Sequence, residues 1–289
     1  MNIKQKGFTV ILFIIPLMVV FTLFGLYQLT ITSIFNSFSI NNSSKYSQSE
    51  VLTYPVNENA HVSIITSCGS VSIIGWEQPT VSIEILKKGP KKKYLEKLPV
   101  DIEQSSDYVT IKSEWDSIKY PNCSVNYKIS IPKQATQKML KTHNGSIRVE
   151  DIYGQINAKS ENGTITIKAA RNKVYVTTSN GKIKISQEEG STEQITAHTS
   201  NGSIVINNAG GPVETKTSNG SITIAQQNKA TGTIDAKTSN GSIIIHNAGG
   251  PVTAYTTVGK IYISKNPTNT YKPKAQTDAL GKVIIETIQ

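Results

Sequence analysis

Several common residue types are scarce in this chain, and each scarcity excludes a class of fold. Only 17% of the 289 residues are charged, below the roughly 25% usual for soluble proteins. All six phenylalanines lie within the first 38 residues, and residues 141–289 contain 21 isoleucines but a single leucine. A composition poor in leucine and rich in isoleucine and threonine suits strands, so a helical bundle is excluded for the second half. The uneven distribution also excludes one uniform globular fold.

Charged residues are absent from residues 7–44. The apolar stretch from Phe8 to Leu29 is long enough to cross about 30 Å of hydrocarbon as a helix. Lys4 and Lys6 precede this stretch, and positive charge marks the cytoplasmic side of a span. We therefore expect a single-pass protein of the cell membrane whose C-terminal domain is extracytoplasmic.

The expected organisation of this N-terminal part has three segments. They are a cytoplasmic tail at residues 1–6, a transmembrane signal anchor at 7–34 and a polar tether at 35–50. A cleaved signal peptide is the alternative interpretation, although its apolar region is usually shorter than the one present here.

Cysteine is nearly absent, with Cys68 and Cys123 as the two examples. A disulfide between them is one interpretation, because disulfides persist in extracytoplasmic compartments. The other is that both are unrelated small residues in strands. Neither has the second CxxC or the nearby histidine that a metal site needs.

A repeat is the strongest signal in the sequence. Eight turns end in glycine, at positions 145, 163, 181, 202, 220, 241, 259 and 281, so the period is 18 to 22 residues. An alternating apolar strand follows each turn, such as Ile165/Ile167 or Ile204/Ile206, and a second strand lies between turns. Asn-Gly turns also occur in antiparallel hairpins, but here each strand resembles the one a full period later. We therefore predict an all-β fold, a parallel β-solenoid in which isoleucines stack in ladders.

Two further features of the repeat concern its corners and its ends. A serine or threonine precedes each corner and is expected to bond a neighbouring backbone group, and the glycine is expected to supply positive φ. Residues 51–140 repeat less clearly and are predicted to be an N-terminal β cap, with a degenerate corner at 67–71. Residues 141–289 are the predicted repeat solenoid, whose open end would need such a cap.

The sequence resembles the bacterial putative-adhesin family of β-helical envelope domains. The residues that carry the resemblance are VNYKISIPK (125–133), KTHNGSIRVEDIYGQINAKSENGTITI (141–167) and the later TSNGSI units. The resemblance covers roughly residues 51–289 and is specific for the architecture. It implies a membrane-anchored envelope domain, in some relatives an accessory of cell-envelope stress systems, and it supplies no catalytic motif and no cofactor.

An enzyme is the least favoured class. Polysaccharide-active β-helices need clustered carboxylates, whereas the ten acidic residues of 141–289 are mostly dispersed. The closest clusters are Glu150 with Asp151, and Glu188 and Glu189 with Glu193, and the second of these fits a solvated turn. No phosphate-binding or zinc motif is present, so we predict no cofactor and no metal.

Outward-facing positions provide the candidate binding residues. One row on the second wall contains Lys159, His198, Lys216 and Lys237, which indicates either an anion-binding stripe or lysines compensated by carboxylates at 214 and 235. On the first wall, Ile244, Tyr262 and Ile284 are expected to form an apolar contact patch. A lysine cluster in the cap, either a solvated loop or a second anion site, comprises Lys87, Lys88, Lys91, Lys92 and Lys93.

Three functions are compatible with these features. The first is a membrane-anchored, adhesin-like solenoid that binds anionic envelope polymers or partner membrane proteins without catalysis. The second is an accessory of a cell-envelope stress response, and the third is a polysaccharide-active enzyme. Nucleic acid is not expected as a partner of a domain outside the membrane, despite the net charge of +10.

Overall fold

The computed structural model describes residues 45–267, 269–278 and 281–287. These residues form 23 strands in two sheets, with one short helix, α1 (Lys92–Leu95). The predicted tail and signal anchor lie outside the described residues. Across the part of the chain that is described, no helix has both the length and the apolar character needed to span a bilayer.

The first sheet contains twelve of the described strands. In the order of their hydrogen bonding they are β1 (Tyr46–Pro55), β4 (Thr80–Gly89), β7 (Ser124–Pro132), β3 (Val71–Trp76), β9 (Ile147–Glu150), β11 (Ile165–Ala170), β13 (Ile183–Gln187), β15 (Ile204–Ala209), β17 (Ile222–Gln226), β19 (Ile243–Ala248), β21 (Ile261–Lys265) and β23 (Val283–Thr287).

The second sheet contains the other eleven. In spatial order they are β22 (Lys274–Thr277), β20 (Val252–Val258), β18 (Ile234–Asn240), β16 (Val213–Asn219), β14 (Ile195–Asn201), β12 (Val174–Asn180), β10 (Ile156–Asn162), β8 (Thr136–Asn144), β2 (His61–Cys68), β6 (Tyr108–Ser113) and β5 (Asp101–Gln104).

Strands stack on the equivalent strand of the next coil, all parallel from β8 and β9 onward. Ile165 is the register partner of Ile183, Ile183 of Ile204 and Ile204 of Ile222. This pairing confirms the predicted parallel β-solenoid. The hairpin alternative is wrong for the repeat because, from β8 onward, strands that are consecutive in sequence lie in opposite sheets.

The interior is a set of apolar ladders. Ile204, Ile206, Ile222 and Ile224 are completely buried in the first sheet, and Ala197 lies opposite them in the second. Each fully buried isoleucine contributes about 1.5–3 kcal/mol. Branched aliphatic side chains fill most of the interior, and the ring of Tyr127 on β7 is buried in the cap region.

Serine and threonine hydroxyls before the corners form hydrogen bonds with the backbone of the preceding coil, as predicted. Thr217 Oγ1 donates to the carbonyl oxygen of Gly202 at 3.0 Å, and Thr238 Oγ1 donates to that of Gly220 at 2.9 Å. The same bond recurs from Thr142 to Thr256 along the axis. It satisfies a carbonyl group at a position where the chain leaves the sheet.

The role predicted for the corner glycines is wrong at most corners. Gly69 and Gly259 have positive φ, 141° and 150°, but Gly202 and its equivalents do not. A Cβ added at Gly202 would lie 2.0 Å from the carbonyl oxygen of Gly181. Glycine is required there because successive corners approach too closely for a side chain.

An asparagine ladder at the corners was not predicted. Asn162 Nδ2 donates to Asn144 Oδ1 at 2.9 Å, and the pattern continues through Asn180, Asn201 and Asn219 to residue 240. The sequence contained a signal for this ladder, because an asparagine occupies the same repeat position in six successive turns. Identical amide side chains that stack in this way form hydrogen bonds with one another. The ladder stops where valine occupies that position at residue 258.

The predicted cap region differs in detail from expectation. Residues 46–50 of the predicted tether belong to β1, which pairs antiparallel with β4. Strands β2 and β3 are joined by the expected degenerate corner, and they form a parallel coil next to β8 and β9. The coil of β6 and β7 lies beyond them, so chain order and spatial order differ at this end. Strands β1, β4 and β5 then close the stack.

Candidate functional site

Stacking brings the predicted row of the second wall into one line. Lys159 on β10 is the register partner of Thr177 on β12, and Thr177 is the partner of His198 on β14. His198 is the partner of Lys216 on β16, and Lys237 on β18 follows beside Lys216. The row therefore runs in the predicted order along the solenoid axis.

A groove of about 480 Å³ follows this row. We call it the basic groove and define it by Lys159, Tyr175, His198 and Lys216 together with the serines at 179, 200 and 218. Lys237 does not line it. The sequence did not indicate that Tyr175 and the serines belong to the site.

Carboxylates along the row compensate some basic side chains and leave others without a partner. Asp235 Oδ2 lies 2.7 Å from Lys237 Nζ, as predicted. Compensation of Lys216 by Glu214 was one of the two interpretations left open, but Glu214 Oε1 lies 3.5 Å from His198 Nε2 instead. The compensated interpretation therefore fits Lys237 and does not fit Lys216.

Within the described ranges of the chain, the two lysines of the basic groove have no ion pair. Among the described residues, no carboxylate lies within 4.0 Å of the ammonium of Lys159 or Lys216. Both side chains are exposed. The groove consequently presents two uncompensated positive charges, which is the main electrostatic feature of the site.

An aromatic ring and a line of hydroxyls complete the basic groove. Tyr175 is 45% exposed, and its ring centroid lies 6.5 Å from that of His198 in an edge-to-face arrangement. Ser179, Ser200 and Ser218 occupy the same position in successive coils and are exposed. Hydroxyls can donate to anionic oxygens and an exposed ring can stack on a sugar, so the groove offers charge, hydrogen bonds and a flat apolar surface.

Some side chains of the lysine cluster in the cap contact other residues of the cap. Lys87 Nζ donates to the carbonyl oxygen of Leu98 at 2.7 Å, and burial lowers the pKa of Lys87, opposed by the nearby charge of Glu50. Lys91 and Lys93 lie 5.4 and 6.0 Å from the ring centroid of Tyr94. Lys88 on β4 and Lys92 on α1 complete the cluster. A ligand for it stays a prediction.

The predicted apolar patch of the first wall is aligned by the register. Ile244 is the partner of Tyr262, and Tyr262 is the partner of Ile284. All three side chains are half-buried, and the hydroxyl of Tyr262 donates to Glu286. Its role as a contact surface stays a prediction.

The two cysteines line a second cavity, of about 460 Å³. Both are free thiols, and Cys123 is 3% exposed. Burial raises the pKa of both thiols, and the negative charge that Cys68 would carry as a thiolate raises that of Cys123 further. The fold therefore brings together two residues that are 55 positions apart in the sequence.

The acidic cluster near residue 188 contains a surface ion pair. Arg171 donates to both carboxylate oxygens of Glu188, and this hydrogen bonding, with the positive charge of Arg171, lowers the pKa of Glu188. Among the residues that the structure describes, no group of three or more His, Cys, Asp or Glu side chains could hold a metal ion.

Residues 124–246 match the model of the Toastrack DUF4097 family. This segment is similar to Toastrack DUF4097 domains and comprises 123 of the 289 residues. It contains all of the basic groove and ends within β19, whereas the cap lysines and both cysteines lie outside the matched residues.

Three solved structures are similar to this chain. One is a putative adhesin from Bacteroides fragilis NCTC 9343, with 15% identity, coverage of 83% of this chain and 97% of that chain, and a TM-score of 0.43. Another is a putative adhesin from Parabacteroides distasonis ATCC 8503, with 13% identity, coverage of 83% and 97%, and a TM-score of 0.40. The third, from the same organism, is named a putative lipid binding protein, with 14% identity, coverage of 83% and 97%, and a TM-score of 0.35. No curated protein matches the chain.

Proposed function

We propose that this protein is a non-catalytic binding module that holds an anionic polymer of the cell envelope in its basic groove. The observation that supports this function is the pair of lysines, Lys159 and Lys216, that line the groove without a carboxylate partner. Unpaired ammonium groups in a concave surface attract anions, and the attraction weakens as salt rises.

The shape of the groove favours a linear ligand over a small one. Lys159 and Lys216 lie three coils apart, which corresponds to about 14 Å at the usual spacing of strands. Between them the wall repeats Ser179 and Ser200 with the period of the coils. A polymer with regularly spaced phosphates or carboxylates can lie along the solenoid axis, accept hydrogen bonds from these hydroxyls and place a sugar against Tyr175.

Neutralising both groove lysines should weaken polymer binding about 30-fold at low salt. Each ammonium in contact with an anion contributes about 1 kcal/mol in water, and about 2 kcal/mol corresponds to that factor in affinity. The experiment compares the full-length protein with the double variant Lys159→Gln/Lys216→Gln in detergent. Binding of fluorescent poly(glycerol phosphate) is measured by polarisation at low and high salt.

The matched control is Lys237→Gln. Lys237 belongs to the same row but is paired with Asp235 and does not line the groove, so its replacement should change the affinity less than about threefold. Uncharged dextran of similar length controls for binding that does not depend on charge. An equal loss in both variants, or no salt-dependent binding by the wild type, would contradict the proposed site.

The proposal includes the location of the domain outside the cytoplasm. It rests on residues 7–34, which carry no charge, and on Lys4 and Lys6 before them. In that compartment we expect Cys68 and Cys123 to join, with a disulfide-exchange oxidant accepting the two electrons and the two thiols releasing two protons. The raised pKa values of both thiols make the uncatalysed exchange slow at neutral pH.

Location and thiol state can be measured on the same cells. Protease added to intact cells should degrade the domain. After acid quenching and denaturation, a polymer-linked maleimide should add to the wild type only once a reductant has been supplied. Cys68→Ser, which leaves a single thiol, should be labelled before reduction. Protection from protease would refute the extracytoplasmic location, and labelling of the unreduced wild type would refute the disulfide.

A further inference from the structure

The two ends of the solenoid differ in how their apolar interior is covered. At one end, β1, β4 and β5 close the stack. At the other, β23 and β22 are the edge strands of the two sheets. Val283 and Ile285 on β23 are 36% and 44% exposed, whereas their equivalents Ile261 and Ile263 in the preceding coil are fully buried. The last described coil therefore presents ladder positions to solvent.

The outer edge of β23 also has backbone groups directed away from the sheet. Ile261 N–H donates to the carbonyl oxygen of Lys282 at 2.9 Å, so the backbone of Lys282 points toward β21. In a parallel ladder, the backbone N–H and C=O groups of successive residues point alternately to the two sides of the strand. The N–H and C=O groups of Val283 and Ile285 therefore point outward, where another strand could pair with them.

A second copy of the same strand fits this edge in one register in particular. If two β23 strands pair antiparallel about a twofold axis at Ile284, Val283 faces Ile285 of the other copy. These are the residues whose backbone groups point outward, so each such pair forms two hydrogen bonds. In the same register Lys282 faces Glu286 of the other copy, which places opposite charges together twice. If the register shifts by two residues, Glu286 faces Ile284 of the other copy. The two Lys282–Glu286 charge pairs are then lost.

We propose that β23 is a self-association edge through which two copies of the chain join end to end. Pairing continues the first sheet across the twofold axis and covers Val283 and Ile285 with their equivalents in the partner. Lys282 and Glu286 select the partner and the register, because both are exposed and oppositely charged. This association uses no residue of the basic groove and is independent of the function proposed for that groove.

Cysteine cross-linking tests the twofold axis directly. In the full-length protein in detergent, Ile284→Cys places two thiols opposite each other at a pair without backbone hydrogen bonds, where side chains are closest. Oxidation with diamide should convert most of this variant to a dimer that reductant reverses. Thr223→Cys is the matched control, because Thr223 occupies the equivalent position of a middle coil and is half-buried like Ile284. It should remain monomeric.

Charge reversal then tests the register. In the Ile284→Cys background, Lys282→Glu or Glu286→Lys alone should lower the cross-linking rate about tenfold, because each places like charges opposite one another. The two changes together should restore it. Circular dichroism verifies that each variant is folded, and Lys159→Gln/Lys216→Gln should cross-link like its parent. Equal cross-linking of Thr223→Cys, none by Ile284→Cys, or indifference to charge reversal would overturn the proposal.

Discussion

Replacing Gly202 with alanine should destabilise the middle of the solenoid by about 3 kcal/mol or more. The new Cβ would lie 2.0 Å from the carbonyl oxygen of Gly181 and 2.6 Å from its carbonyl carbon. Neither backbone can move aside easily, because Gly202 N–H donates to Asn219 and Gly181 N–H donates to Asn201 in the corner ladder. The clash therefore requires two coils to separate, which also weakens the isoleucine ladder beside the corner.

The measurement is urea unfolding of the full-length protein in detergent, followed by far-UV circular dichroism. Gly190→Ala is the control, since an added Cβ at Gly190 meets nothing within 4 Å. Its φ of 84° should still cost about 1 kcal/mol. If the two variants unfolded at the same urea concentration, close stacking would not be the reason for glycine at the corners.

Truncating a central isoleucine should have an effect of similar size. Ile206 is completely buried between equivalent residues of the neighbouring coils, so Ile206→Ala should cost about 3–4 kcal/mol through lost burial and a residual cavity. Coils of a solenoid contact mainly their neighbours, so the loss should also appear locally. Hydrogen exchange should accelerate first in β13, β15 and β17.

Ile285→Ala is the matched comparison at the equivalent position of the last described coil. Because Ile285 is 44% exposed, its truncation should cost less than about 1 kcal/mol in the monomer. Dilute protein must be used, since self-association through β23 would bury Ile285 and increase the loss. Equal effects of Ile206→Ala and Ile285→Ala at low concentration would contradict the exposed terminal coil.

Most of the architecture could be predicted because it depends on repetition. A parallel ladder places identical positions side by side, so the spacing of Ile165, Ile183 and Ile204 determines both the strands and their register. The same logic orders the row from Lys159 to Lys237. The hydroxyl bonds of the corners followed from a serine or threonine at one repeat position. The asparagine ladder had an equally regular signal, an asparagine at the same position of successive turns. That signal was interpreted only as the preference of turns for Asn-Gly.

The candidate site was less predictable because it depends on side-chain direction. Glu214 could reach Lys216 on its own strand or His198 on the neighbouring coil, and the sequence spacing allows both. Only the structure shows that Glu214 lies near His198 and that no carboxylate of the described residues pairs with Lys216. Tyr175, Thr177 and Ser179 alternate along β12 and therefore share its outward face, but the sequence alone did not show which part of that face is concave.

The order of the amino acids was sufficient to predict the coil length, the ladder residues, the charge distribution along the chain and an apolar N-terminal span. These are properties of one repeat or one segment, which local periodicity records. The folded structure was needed to show which groove lysines lack a carboxylate partner among the described residues and why the corner glycines are needed. It was also needed to show where β2 and β3 enter the stack and which ladder residues of the described coils stay exposed. Each of these depends on distances between coils or across the interior, and such distances exist only when the chain is folded.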